Sequence, residues 1–284
     1  MLTLEAPAKI NWFLNVLGKR EDGYHDIVSL MQCITLSDSL VLENSPTVEI
    51  VTGADIPREE NLVYKAAKLM KEKKGIVSGV KITLHKKIPL AAGLGGGSSD
   101  AAATLMGLNR LWDLDLSPGD LAGLGGALGS DVPFFFHGPA SVVEGRGEIV
   151  SPVELKKSYS LLVVKPEISI SAAWAYAEYD KASPPREVLT KKHNNIKLFC
   201  QALGRGDFKL LSSLQGNDLE PLVVERYPVI SEIKHRLMLR GALFSSMSGS
   251  GSSVFGVFGS ERDAENANEH MLPHWCRVVR TLIH

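Results

Sequence analysis

Pro89-Leu90-Ala91-Ala92-Gly93-Leu94-Gly95-Gly96-Gly97-Ser98-Ser99-Asp100 joins two different periodicities. Before it, Val80, Ile82 and Leu84 alternate with Lys81, Thr83 and His85, the pattern of a half-buried strand. After it, Ala101, Leu105, Leu108 and Trp112 recur at spacings of four, three and four, the pattern of a helix. The glycine run therefore sits between a strand and a helix N-terminus. Glycines let a backbone approach a ligand closely and adopt positive φ. Successive N–H groups then form an anion-binding nest, and the helix adds its positive end and unpaired amides. Ser98 and Ser99 add hydroxyls. This combination suits a triphosphate. It is not a Walker A loop, because no Gly-Lys-Ser/Thr follows, and Ser98 stands where the Rossmann pattern needs its last glycine. The plainer reading is a turn with a good helix cap.

Outward from this segment, residues 2–17 are expected to form strand, short break at Pro7, strand. Residues 18–26 form a hairpin or loop, and 27–43 a strand with Leu40 and Leu42 on one face. Asn61 opens a helix that carries Leu62, Ala66, Leu69 and Met70 on one side and stops at Gly75. Glycine-rich stretches recur at 121–136 and 246–258, the latter running into a strand. The three are expected to be loops meeting at one site. Leu161–Val164 is a short buried strand, and Ile230, Ile233 and Leu237 mark a helix before Gly241. The charged, proline-containing stretch 181–192 is expected to be a surface loop. A boundary is expected near 150–160, dividing the chain into domains 1–156 and 157–284.

Bulk properties narrow the function. With 284 residues, 44% of them hydrophobic, the chain can bury a sizeable core. Lys and Arg number 31 against 32 Asp and Glu, so no basic excess points to nucleic acid or to a membrane surface. Cys33, Cys200 and Cys276 form no CxxC pair, and an odd count closes no disulfide framework. Reduced thiols and a cytoplasmic location are expected. The opening MLTLEAPAKINWFLNVLG lacks the order of a signal peptide, and no apolar run is long enough for a membrane helix. His270 and His274 are four apart, but Pro273 interrupts them and no HExxH pattern accompanies them, so zinc is not expected. Lys71–Lys74 reads as a solvated helix end, Lys191-Lys192-His193 as a loop charge cluster, and Asn217-Asp218-Leu219-Glu220 suggests no mechanism.

Two charges stand in apolar contexts. Lys9 precedes Ile10-Asn11-Trp12-Phe13-Leu14, and Asp131 lies in Gly129-Ser130-Asp131-Val132-Pro133 before three phenylalanines. Each must be paired, or reach solvent at the edge of a cleft. Phosphoryl transfer needs a cation near the transferred group and a carboxylate that orients the acceptor hydroxyl. An edge-strand charge and a turn cap are the alternatives, since 122 positions separate the two.

Three segments together resemble the signatures of the GHMP kinases: Ala6-Pro7-Ala8-Lys9-Ile10-Asn11, Pro89–Asp100, and Ser248-Gly249-Ser250-Gly251-Ser252-Ser253. Arg20-Glu21-Asp22-Gly23-Tyr24-His25 and Gly129–Phe135 narrow the resemblance to the branch acting on a cytidine-diphosphate-linked methylerythritol. The likeness runs over roughly residues 2–258 in the same order. It implies an α+β fold of two domains: an N-terminal α/β domain with a mostly antiparallel sheet and a left-handed βαβ unit, and a C-terminal ferredoxin-like domain, with the active site between them. It implies ATP and Mg2+ as cofactors and transfer to the acceptor's 2-hydroxyl, a step of non-mevalonate isoprenoid precursor synthesis. No nucleic acid or membrane partner is implied, and monomer and homodimer are equally open.

By position, the resemblance makes Lys9 and Asp131 the catalytic pair and Asn11 an acceptor contact. Gly93, Gly95, Gly96, Gly97, Ser98 and Ser99 would cradle the phosphates, with Ser99 touching the metal. Asn61 and Lys86 would line the adenine side, and Gly249, Ser250 and Gly251 would close on the reacting phosphate. A pyrimidine needs a stacking face and edge hydrogen bonds. His25 offers an edge, Tyr24 a ring or hydroxyl, and Tyr176 matches a stacking position. Another acceptor of the same family and a non-catalytic nucleotide-binding module are the competing readings. The Tyr24-His25 pair speaks against the first, and retention of both Lys9 and Asp131 against the second.

Overall fold

The computed structural model describes residues 1–182, 195–214 and 216–283. Residues 183–192 of the expected loop and the Lys191-Lys192-His193 cluster lie outside the described residues. The chain forms two units, each assembled from several stretches. One takes Met1–Ala8, Leu36–Leu90 and Gly95–Gly138, and the other Lys9–Thr35, Ala91–Leu94 and Pro139–His284. Two long strands, β1 (Leu2–Lys19) and β2 (His25–Ser45), supply residues to both.

In the first unit, β2 pairs antiparallel with β4 (Gly79–His85), and β4 pairs parallel with β3 (Val48–Thr52). The parallel pair is joined through α1 (Leu62–Lys74), a βαβ unit. α1 starts and stops where its caps dictate. Asn61 accepts a hydrogen bond from Val63 N, and Gly75 at φ 65 sends its N–H to Lys71 O. α2 (Gly96–Leu111) and α3 (Pro118–Gly126) complete the layer. Leu40, Leu42, Val80, Ile82, Ala66, Met70, Leu105 and Leu108 form its core.

The second unit holds the β5 (Ala140–Gly145) and β6 (Ile149–Pro152) end of the six-stranded sheet that also contains β3, β4, β2 and β1, and all of a four-stranded sheet. β2 pairs with β5, which pairs with β6. The other sheet is antiparallel, in the order β10-β7-β9-β8, formed by Trp275–Arg280, Ser160–Lys165, Val254–Phe258 and Phe244–Met247. Between β7 and β8 the chain passes through α4 (Ala172–Ala182), α5 (Asn195–Arg205), α6 (Phe208–Ser213), α7 (Glu220–Arg226) and α8 (Val229–Leu239). α9 (Glu261–Asn268) leads into β10. That strand order and the βαββαβ progression are ferredoxin-like, as expected. Ile230, Ile233 and Leu237 are buried in its core. A separate aromatic group centres on Trp12, whose ring meets Tyr159, Phe244 and Phe255 within 6.2 Å.

Three local expectations need correction. Pro7 does not break β1, which is continuous over 18 residues. Among the described residues β1 pairs with a strand on one side, and its other edge bonds loops, as Lys9 N does to Leu94 O. A proline is tolerated on such an edge strand. The stretch 121–136 is not a loop. Its first part is α3, started by a Ser117/Asp120 capping box with Pro118 in the first turn. Gly125 is needed there for space, because a Cβ would come 2.7 Å from Val132 Cγ1 and 3.0 Å from Phe136 Cε2. The stretch 181–192 likewise begins inside α4, which ends at Ala182.

Candidate active site

In the second unit, parts of three of the quoted segments come together: Lys9–Asn11, Ala91–Leu94 and Ser248–Ser253. Lys9 is only 3% exposed, so its ammonium must be compensated. Residues two apart share a strand face. Lys9 Nζ accordingly donates to Asn11 Oδ1 at 2.6 Å, and Asn11 Nδ2 donates to Ser29 Oγ at 2.8 Å. Lys9 N donates to Leu94 O, which ties the strand to the first glycine segment. Ser248 connects the third: its Oγ accepts from Asn11 N at 3.2 Å and donates to Gly93 O at 3.0 Å. A Cβ on Gly249 would lie 3.3 Å from Asn11 Oδ1 and 3.5 Å from Lys9 Nζ, so that turn faces the lysine directly. Ser253 N donates to Ala92 O, closing the turn 248–253 against Ala91–Leu94.

The first unit carries the helix end. Gly95, at φ 67, caps α2 with no side-chain hydrogen bond, which leaves the first-turn amides of Gly96, Gly97 and Ser98 for a ligand. Gly129 adjoins this end, since a Cβ there would lie 4.0 Å from Ser98 Oγ. Asp131 follows, half-buried, in the turn before the short helix Pro133–Phe136. Lys86 Nζ bonds Asp38 and, at 2.7 Å, Asp100, and a Cβ on Gly96 would be 3.3 Å from it. Asp38 also accepts from Ile88 N at 2.8 Å, fixing the entry to the glycine segment. Burial pushes the Asp100 carboxyl up to about 7, against the pull of Lys86. Asn61 uses its side-chain oxygen as the α1 cap.

Magnesium takes oxygen ligands, with few protein groups beyond one or two carboxylates and the substrate phosphates. Ser99 Oγ and Asp100 Oδ1 are buried oxygens at this end of α2 that make no hydrogen bond among the described residues. The donor set fits the ion.

The expected base-binding residues fall in the second unit. His25 and Tyr176 stack with centroids 4.9 Å apart and planes at 22°. His25 Nε2 pairs with Asp180 Oδ1 at 2.7 Å, and Lys19 Nζ with Asp180 Oδ2 at 2.6 Å. Tyr24 is 53% exposed, with the Arg146 guanidinium 4.8 Å from its ring centroid. Lys9, Asn11, Gly93 and Gly249–Gly251 are thus gathered in one unit, and Gly95–Ser99, Lys86, Asn61 and Asp131 belong to the other.

Sequence reasoning overlooked Asp38 and Asp180, and it singled out Asn217 and Glu220 without a mechanism. Asp180 had a signal, because Tyr176 and Asp180 are one helical turn apart and share a face of α4. Asp38 had one too, as an acid inside an apolar strand.

Known proteins match both parts of the chain. The family described as "GHMP kinases N terminal domain" matches residues 61–139, and "GHMP kinases C terminal" matches residues 199–275. The 4-diphosphocytidyl-2-C-methyl-D-erythritol kinase of Thermodesulfovibrio yellowstonii is 50% identical over 283 residues, covering 100% of this chain and 99% of the relative. A crystal structure of 4-(cytidine 5'-diphospho)-2C-methyl-D-erythritol kinase superposes with a TM-score of 0.83 at 32% identity, covering 99% of each chain. Homoserine kinase from Cytophaga hutchinsonii shares the fold, with a TM-score of 0.77 at 21% identity over 99% of this chain and 95% of that one. Two family models that together match more than half of the chain, and a relative 50% identical along its whole length, show the family: the chain belongs to the 4-diphosphocytidyl-2-C-methyl-D-erythritol kinase family of the ATP-dependent GHMP kinases.

Proposed function

We propose that the chain transfers the γ-phosphoryl group of ATP to the 2-hydroxyl of 4-diphosphocytidyl-2-C-methyl-D-erythritol, in the non-mevalonate route to isoprenoid precursors. The observation that carries this reading is the meeting of Lys9 and Asn11 with Gly93 and the turn Ser248–Gly251. A positive charge and a main-chain nest side by side suit a transferring phosphoryl group, whose transition state spreads negative charge over its oxygens.

Asp131 orients the acceptor hydroxyl and draws its proton, and Lys9 holds the charge that develops as the oxygen attacks. Asn11 keeps the ammonium aimed and contacts the acceptor. The amides of Gly95–Ser99 hold the phosphates with Gly93, and Gly249, Ser250 and Gly251 close on the reacting group. Asn61 and Lys86 lie on the nucleotide side. Ser99 Oγ would hold magnesium, which would supply charge neutralisation to the triphosphate. Tyr24, His25 and Tyr176 receive the cytosine. Asp180 fixes which His25 nitrogen carries the proton, so the ring meets the base edge in one hydrogen-bonding state. The enzyme works in the cytoplasm, consistent with three free thiols, of which Cys33 is pushed up to about 12 and Cys276 to about 11 by burial.

The test is ADP release from ATP with three acceptors. The cytidine-diphosphate-linked methylerythritol should turn over, and mevalonate and homoserine should not. Asp131→Asn should lose about 10²–10⁴ in kcat while still binding ATP, the range typical of a positioned base. Near-normal turnover in that variant would remove Asp131 from the acceptor.

A further inference from the structure

Asn217-Asp218-Leu219-Glu220 lies outside every motif named above, yet it holds the glycine turn from behind. Residues 216–218 run along the free edge of β1. Leu14 N donates to Gly216 O at 2.7 Å and Asp218 N to Leu14 O at 2.9 Å. Val16 N donates to Asp218 Oδ2 at 2.7 Å. From this anchor the Asn217 side chain, 8% exposed, reaches two main-chain carbonyls of the turn. Its Nδ2 donates to Met247 O at 3.0 Å and to Gly249 O at 2.7 Å, while its Oδ1 accepts from Leu219 N at 3.0 Å. Glu220 takes the other main-chain polar atom of the same residue: Met247 N donates to Glu220 Oε2 at 2.8 Å, and Lys234 pairs with the other carboxylate oxygen.

β1 is also the strand that carries Lys9 and Asn11. One buried amide therefore links the strand bearing the ammonium to the turn facing it. The chemistry asks for an amide. Only Asn or Gln offers two donors and an acceptor from one planar group, and the shorter one spans this gap.

We propose that Asn217 is a positioning residue for phosphoryl transfer. By fixing the Gly249 carbonyl it sets the direction of the Gly249–Gly251 amides relative to Lys9. This rests on the proposed function above, in which that turn closes on the reacting phosphate. A misplacement of about 1 Å in such a turn costs about 10²-fold in rate.

The test compares the wild-type chain with Asn217→Asp and Asn217→Ala. Asn217→Asp keeps the shape and the bond from Leu219 N but turns an oxygen towards two carbonyls. Asn217→Ala introduces no buried charge. Both should lower kcat by about 10²-fold while the acceptor KM stays within about threefold. Amide hydrogen exchange should accelerate at least about tenfold in 248–253 and stay unchanged in β7 and β10. Normal kcat with normal exchange in both variants would overturn the proposal. So would a loss of protection spread equally over β7 and β10, which would mark a general structural role. If the wild type fails to release ADP with the cytidine-linked acceptor, the acceptor assignment is wrong. The exchange pattern still decides whether Asn217 positions the turn.

Discussion

Asp100 shares the Lys86 ammonium with Asp38, and both carboxylates are almost fully buried. One positive charge does not compensate two negative ones in a low-dielectric site, so one carboxyl keeps a proton to unusually high pH. Burial raises Asp100 from 3.8 to about 7. Between those values the folded chain retains a proton that the unfolded chain releases. The Asp100 contribution to stability is therefore present at low pH and falls as pH rises through about 4 to 7, by at most about 1.4 kcal/mol per pH unit. Asp100→Asn stays neutral and should lack this slope. Urea unfolding from pH 5 to 7 should give a wild-type minus variant difference that declines with pH, and a difference independent of pH would contradict the assignment.

At the scale of elements, similar glycine-rich composition leads to three outcomes. Residues 91–95 form a turn before α2, residues 121–126 belong to a helix, and residues 248–253 form a turn between two strands. What separates them is context: a capping box and Pro118 commit the second to a helix, whereas the others are held by remote partners. Gly93 is the sharpest case. It has φ +72, and a Cβ would meet Ser248 O at 2.2 Å and Gly251 O at 2.8 Å, both main-chain atoms that cannot swing away. Gly93→Ala should cost about 3 kcal/mol or more in denaturant unfolding. Gly53→Ala, with nothing within 4 Å, should change stability by less than about 0.5 kcal/mol. Equal effects at the two positions would show that the turn is not packed as described. The helix limits at Asn61 and Gly75 were readable because caps act within four residues. Pro7 misled because whether a proline interrupts a strand depends on a neighbour that local sequence does not show.

For the molecule as a whole, the alternating and helical periods exposed most elements, and the three signature segments exposed the family. Residues that act through distant partners stayed hidden. Asn217 bonds residues 30 and 32 positions away, and Asp180 bonds His25 across 155. Neither belongs to a recurring apolar pattern, and a lone polar residue looks the same in sequence whether it meets solvent or a buried carbonyl. The catalytic proposal has the same character, because it joins Lys9 and Asp131, which belong to different units. Its most direct test is a crystal structure of the chain with a non-hydrolysable ATP analogue and 4-diphosphocytidyl-2-C-methyl-D-erythritol. The account predicts Lys9 Nζ and an Asp131 oxygen both within hydrogen-bond distance of the 2-hydroxyl, with phosphoryl oxygens bonded by main-chain amides of the glycine turns. A complex in which either side chain points away from that hydroxyl, or in which the glycine turns touch no phosphate, would contradict it.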